Sequence, residues 1–131
     1  MIFQIRHFQH SKDFPMIQRW FAAHELTAPE AGMLPLGSTF VCEDAERRAL
    51  LSVALLTTGS SVAWIEYLIG NPEASQPGAL KFLVGFLREF ARLSNYRTLM
   101  ALAPSPAHCR YYKSLGFEQT LSGLTAFRMG V

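Results

Sequence analysis

Two side chains in this sequence stand where their chemistry could be used: Tyr112, within Ala107-His108-Cys109-Arg110-Tyr111-Tyr112-Lys113-Ser114-Leu115-Gly116-Phe117, and Glu66, within Trp64-Ile65-Glu66-Tyr67-Leu68-Ile69. A phenolic hydroxyl stays protonated at pH 7 and can hand its proton to a departing group. A carboxylate set in an apolar strand loses hydration, titrates above its usual range and can take a proton from an ammonium, directly or through water. Each residue also has a purely structural explanation. Tyr112 would pack its ring under the C-terminal strands with the hydroxyl at the surface, and Glu66 would lie on the solvent side of an alternating strand. A third segment, Ser75-Gln76-Pro77-Gly78-Ala79-Leu80-Lys81, puts small residues at a helix start. Lys81 supplies a charge there, although Pro77 has no amide hydrogen to offer. The same residues also make a plain Pro-Gly helix start.

Other chemistries find little support. His7, His10, His24 and His108 form no pair at i, i+4 spacing, so no metal site is expected. Cys42 and Cys109 stand far apart without companions, which argues against a disulfide framework and for a reducing compartment. There is no Gly-Xaa-Ser-Xaa-Gly elbow, no phosphate loop ending in Gly-Lys-Ser/Thr and no zinc-knuckle spacing. The 131 residues suit one domain spanning the chain, and half of them are hydrophobic while 17% are charged, the composition of a compact globule. A net charge of +2 does not call for nucleic acid or an acidic membrane as partner, and Arg88, Arg92, Arg97 and Arg110 are expected to solvate a surface. No run approaches the roughly 20 apolar residues that cross a bilayer, and no signal peptide is evident, so a cytoplasmic protein is expected.

The elements that must position these groups follow from periodicity. Ile2 to Phe8 is expected to be a strand, and Ser11-Lys12-Asp13 offers N-cap chemistry before Phe14, Ile17, Trp20 and Phe21 recur at helical spacing. Glu25 to Gly37, with Pro29, Gly32 and Pro35, predicts an irregular loop of the kind that lies over a binding site. Thr39 to Cys42, Ala49 to Thr58 and Val62 to Ile69 predict three strands in an antiparallel meander, the first two joined by a charged turn. Leu80, Leu83, Val84, Leu87 and Ala91 form a helical stripe that Phe82, Phe86 and Phe90 widen, broad enough to be covered by the sheet and by a partner subunit in a homodimer. Thr98 to Ala103 predicts a strand covered on both faces. A helix from Pro106 to Leu115 stopped by Gly116 follows, then strands at Phe117 to Leu121 and Thr125 to Met129.

The pattern Tyr-Lys-Xaa-Xaa-Gly-Phe at Tyr112 to Phe117, together with the order βα(loop)βββαβαββ over almost the whole chain, resembles the GNAT superfamily of acetyl-CoA-dependent N-acyltransferases. The resemblance implies an α/β fold (an α+β mixed sheet) opened between the strand ending at Gly70 and the strand from Thr98. It implies transfer of an acetyl group from acetyl-CoA to a primary amine by direct attack in a ternary complex. The acceptor, a small molecule, a peptide N-terminus or a lysine, would be selected by the loop from Glu25 to Gly37. By motif position Tyr112 would protonate the departing thiolate and Glu66 would act as base, while Leu68, Ile69 and Gly70 would offer backbone amides to the acyl carbonyl and the pantetheine arm. The family's phosphate loop, Arg/Gln-Xaa-Xaa-Gly-Xaa-Gly/Ala, has Gly78 here as its one retained glycine. Ser75 stands at the Arg/Gln position and Leu80 at the second small position, and the resemblance implies that Gln76, Gly78, Ala79 and Lys81 would hold the phosphates, with Lys81 supplying charge. Compact chains with that departure also resemble GNAT-like proteins carried by phages and prophages. The competing expectation is a binding or assembly module that keeps the fold without CoA chemistry.

Overall fold

The structure, a computed structural model, describes residues 2–57, 59–103 and 106–120. Strand β1 (Gln4–His7) leads into helix α1 (His10–Ala23), and a loop with one 3-10 turn (Ala31–Met33) leads to β2 (Thr39–Glu43), β3 (Ala49–Thr57) and β4 (Val62–Gly70). Helix α2 (Ala79–Leu93), strand β5 (Thr98–Ala101) and helix α3 (Pro106–Ser114) complete the order. The five strands lie side by side in chain order, antiparallel from β1 to β4, with β5 parallel to β4. The meander and the parallel crossover expected from the sequence are therefore present, in a mixed sheet.

Alternation along the strands divides the core in two. Phe40 and Cys42 of β2, with Val53, Leu55, Ala63 and Ile65, pack against Leu83, Leu87 and Ala91 of α2. Val41, between Phe40 and Cys42, points the other way and joins Ala54 and Ile69 against Ile17, Trp20 and Phe21 of α1. The sheet is thus covered by α2 on one face and α1 on the other. The rings of Phe86 and Phe90 both meet Phe40 edge-on, while Phe82 at the start of the stripe is 43% exposed. Among the described residues, no helix is long and apolar enough to cross a membrane.

Several expectations need correction. Helix α1 begins at His10 with Gln9 as its N-cap, so Ser11, Lys12 and Asp13 lie inside its first turn. Asp13 is fully buried and accepts from the Gln9 backbone N–H at 2.7 Å. Arg6 donates to it through both terminal nitrogens, at 2.6 and 2.8 Å, and through Nε to Glu43 at 2.8 Å. This fork ties β1 to α1 and β2. Burial opposes ionisation of Asp13, but the Arg6 fork and the Gln9 amide outweigh it and hold the carboxyl below its ordinary range. The charged turn after β2 is also partly interior, since Glu43 and Asp44 are buried. Asp44 accepts from the backbone of Glu46 and of Arg48. Strand β5 ends at Ala101, short of the expected Ala103, and its residues are exposed or half-buried rather than fully buried. Residues 117–120 form no strand, and the rest of the expected strands at Phe117 to Leu121 and Thr125 to Met129 lies outside the described residues.

Candidate active site

The site is created by an irregularity in β4. Ser52 of β3 pairs with Ile69 and Ala54 pairs with Glu66, so an interval of two residues on β3 matches three on β4. The extra residue forms a bulge. Tyr67 takes it up with φ +53°, a left-handed conformation that costs a bulky L-residue about 1 kcal/mol. The bulge reverses the alternation of side chains. Ile65 before it packs toward α2, whereas Ile69 after it packs toward α1.

The same strand loses its parallel neighbour at this point. Strand β5 pairs with β4 only from Val62↔Thr98 to Ile65↔Ala101, whereas β4 continues to Gly70. Beyond Ile65 the two strands part, and a cavity of about 630 Å³ occupies the opening. Its wall comprises β4 from Ile65 to Gly70, with Leu51 of β3, Leu80 of α2 and Leu102 just after β5. Ala107, His108, Tyr111 and Tyr112 of α3, and His24 and Leu26 after α1, complete it. Asn71 donates its backbone N–H to the Leu50 carbonyl, so by ladder alternation Gly70 turns its peptide groups away from β3 and Ile69 turns its own toward β3. His24 Nε2 meets the outward Gly70 carbonyl at 3.1 Å.

Tyr112 is positioned by the end of α3. Phe117 N–H donates to the Tyr112 carbonyl at 3.1 Å and Gly116 N–H to the Lys113 carbonyl at 3.1 Å, the paired bonds of a Schellman cap. Gly116 takes the left-handed turn, with φ +96°. The Phe117 ring, carried back by that turn, meets the Tyr112 ring edge-on at 5.2 Å between centroids. Gly116→Ala therefore has a definite expected outcome: a loss of about 1 kcal/mol, seen as a fall in Tm of a few degrees, because a Cβ opposes the left-handed conformation rather than because it meets any neighbour. An unchanged Tm would mean that the cap does not hold the helix end.

Glu66 and Tyr112 face the same cavity. Burial raises the Glu66 carboxyl above its ordinary range, and among the described residues it has no hydrogen-bond or ion-pair partner. Burial raises the Tyr112 hydroxyl too, and the Glu66 charge adds to that effect. The pair thus couples a carboxylate that readily holds a proton to a phenol that readily keeps one.

The segment at the start of α2 is arranged differently. Gln76 turns its Nε2 to Asp44 at 3.0 Å, while its Oε1 is buried without a donor among the described residues. Ala79 is buried and spends its amide on the Gln76 carbonyl. Gly78 has φ +86° and caps the helix, accepting from Phe82 N–H. The next two amides, those of Leu80 and Lys81, have no acceptor among the described residues. Lys81 is exposed, and Leu80 lines the cavity that also contains Tyr112.

The structure therefore brings Tyr112, Glu66, Leu68, Ile69 and Gly70 into one cavity. Gln76, Gly78, Ala79 and Lys81 stand outside its lining. His24, Leu26, Tyr67, Leu102, His108 and Tyr111 line it without having been singled out for that role by their spacing. They come from segments far apart in sequence, and no spacing pattern marks them as one group. Among the described residues, no group of acidic, His and Cys side chains could hold a metal.

The sequence matches no protein-family model and no curated protein. The structure is similar to solved acetyltransferases. The Escherichia coli enzyme that acetylates an alanine of a ribosomal protein superposes with a TM-score of 0.75 at 16% identity, over 92% of this chain and 80% of that one. Glucosamine-6-phosphate N-acetyltransferase from Arabidopsis thaliana gives 0.71 at 12%, over 97% of this chain and 99% of that one. N-acetylglutamate synthase from Neisseria gonorrhoeae, solved with coenzyme A and N-acetyl-glutamate, gives 0.71 at 21%; the match covers 87% of this chain and only 28% of that protein.

Proposed function

We propose that this chain, which has the fold of the GNAT acetyltransferases, acts as one catalytic domain that transfers an acetyl group from acetyl-CoA to a primary amine in a ternary complex. The observation that carries this reading is the opening between β4 and β5, where Glu66 and Tyr112 face one cavity beside an α2 terminus with free amides.

Acetyl-CoA fits the residues present. The free amides of Leu80 and Lys81, the Lys81 ammonium and the helix dipole of α2 suit a diphosphate. The edge of β4 from Leu68 to Gly70 suits an extended amide-bearing arm, since Gly70 turns its peptide groups into the opening. The thioester would supply an activated acyl carbon and a thiolate leaving group. Glu66 takes a proton from the acceptor ammonium, and the freed nitrogen lone pair attacks the acyl carbon. Backbone amides of β4 stabilise charge developing on the acyl oxygen. As the carbon–sulfur bond breaks, Tyr112 gives its proton to the sulfur, and the product nitrogen sheds its second proton to the resulting phenolate, which leaves a neutral amide and restores Tyr112.

Calorimetric titration with acetyl-CoA and with CoA tests the reading. Micromolar, saturable binding is expected. No binding at millimolar ligand would sink the reading and favour a module that keeps the fold without this chemistry. The base assignment makes its own prediction. Only ionised Glu66 can accept a proton, and its carboxyl is raised, so the acid limb of kcat/KM should lie above the ordinary carboxylate range. Glu66→Gln should lower kcat/KM at pH 7 by about 100-fold, with the deficit shrinking as pH rises and the amine deprotonates unaided. A deficit that stays constant with pH would remove Glu66 from the base role.

A further inference from the structure

The cavity has an unusual charge inventory. Among its described lining residues, Glu66 is the only Asp, Glu, Lys or Arg. Its carboxylate is half-buried and has no partner among the described residues, a costly state unless a cation comes to it. The surroundings are apolar or aromatic. Leu26, Leu102 and Tyr111 are 55, 50 and 42% exposed, so they present apolar surface that no described part of the chain covers. The ring of Tyr67 is brought to the Glu66 side by the bulge, its hydroxyl 3.8 Å from the Met33 sulfur. Two histidines also line the cavity, His24, whose Nε2 meets the Gly70 carbonyl at 3.1 Å, and His108 of α3.

We infer that the acceptor is a small amine with an apolar or aromatic body and no anionic group, whose ammonium meets Glu66 while its body lies against Leu26, Leu102 and the tyrosine rings. The inference rests on the acyltransferase reading and narrows it to a substrate class. An acceptor with a carboxylate or phosphate would place that anion in an apolar cavity beside a like charge, with no guanidinium or ammonium among the described lining residues to receive it. An apolar ammonium has a counter-ion at Glu66, aromatic faces for its charge and apolar walls for its body.

Three probes differing at one position test this: 2-phenylethylamine, phenylalaninamide, which adds bulk at the α-carbon without an anion, and phenylalanine, which adds a carboxylate there. Each is titrated calorimetrically into the protein with and without saturating CoA, and each is assayed as acceptor by thiol release from acetyl-CoA. The expected result is saturable binding of 2-phenylethylamine, phenylalaninamide within about tenfold of it, and phenylalanine weaker by about 100-fold in Kd and in kcat/KM. In Glu66→Gln the gap between phenylalanine and phenylalaninamide in Kd should close to about threefold, a change that mere loss of the base would not produce. Phenylalanine binding as tightly as phenylalaninamide would overturn the inference, as would no saturable binding of 2-phenylethylamine. CoA binding measured in the same titrations separates the cases: intact CoA binding with no amine discrimination defeats this inference alone, and absent CoA binding defeats the reading beneath it.

Discussion

Tyr112→Phe should lower turnover by about 100-fold or more while leaving the Kd for CoA within about threefold of the parent. The asymmetry follows from geometry. The ring contributes packing, because it meets Phe117 at 5.2 Å and its own carbonyl accepts the Phe117 amide. Phenylalanine keeps both contacts. The hydroxyl contributes a proton, and the place of Tyr112 in the wall of the same cavity as Glu66 offers that proton to a sulfur leaving within it. Because burial and the Glu66 charge raise the hydroxyl, it stays protonated to higher pH than an ordinary tyrosine, so the alkaline limb attributable to it should lie above pH 10. Steady-state rates of thiol release and calorimetry of CoA, run on both proteins, decide the matter. Equal turnover, or a loss carried entirely by weaker CoA binding, would remove Tyr112 from the acid role.

The second large effect concerns stability. Asp13→Ala should destabilise the fold by about 3 kcal/mol, read as a lower midpoint in urea, because it leaves Arg6 without its two-bonded partner and the Gln9 amide without an acceptor. Arg6 is 21% exposed and keeps Glu43, which holds the loss near the lower end for a broken buried pair. The pH dependence has a fixed sign. The folded-state Asp13 carboxyl is lowered, so its contribution is present above the unfolded carboxylate range and is lost as pH falls through the folded value. The parent should therefore lose more stability than the variant between about pH 5 and pH 2. Parallel acid curves for the two proteins would show that the fork contributes no net ionic stabilisation.

Much of the fold was legible because its determinants are local. The 3.6-residue stripe of α2, from Leu83 to Ala91, marks the face that the structure buries. The three-strand meander follows from β-branched and apolar runs punctuated by turns. Gly116 at the end of α3 predicted a cap, and the cap is what fixes the tyrosine. Asp13 was misplaced for an instructive reason: a short acid ahead of an apolar helical repeat has the composition of an N-cap, yet here it serves as the partner of an arginine on the neighbouring strand. The apolar run after Thr98 suggested two covered faces, whereas β5 is half-buried, since β-propensity reports fit to a pleated surface and not what lies above it.

By itself, the sequence determined the kinds and order of the described elements and the stop at Gly116, because each depends on contacts within a few residues along the chain, while residue type and the family resemblance nominated Tyr112 and Glu66. Only the tertiary structure decided that β4 is bulged at Tyr67, that it parts from β5 after Ile65, and that Glu66 and Tyr112 consequently share a cavity with His24 and Leu26. It alone decided that Ala79 spends its amide in a turn while Leu80 and Lys81 find no acceptor for theirs among the described residues. Strand register and bulge position are settled by pairing energies summed across the sheet, and a shift of one residue reverses every side chain that follows it. No window of neighbouring residues contains that sum.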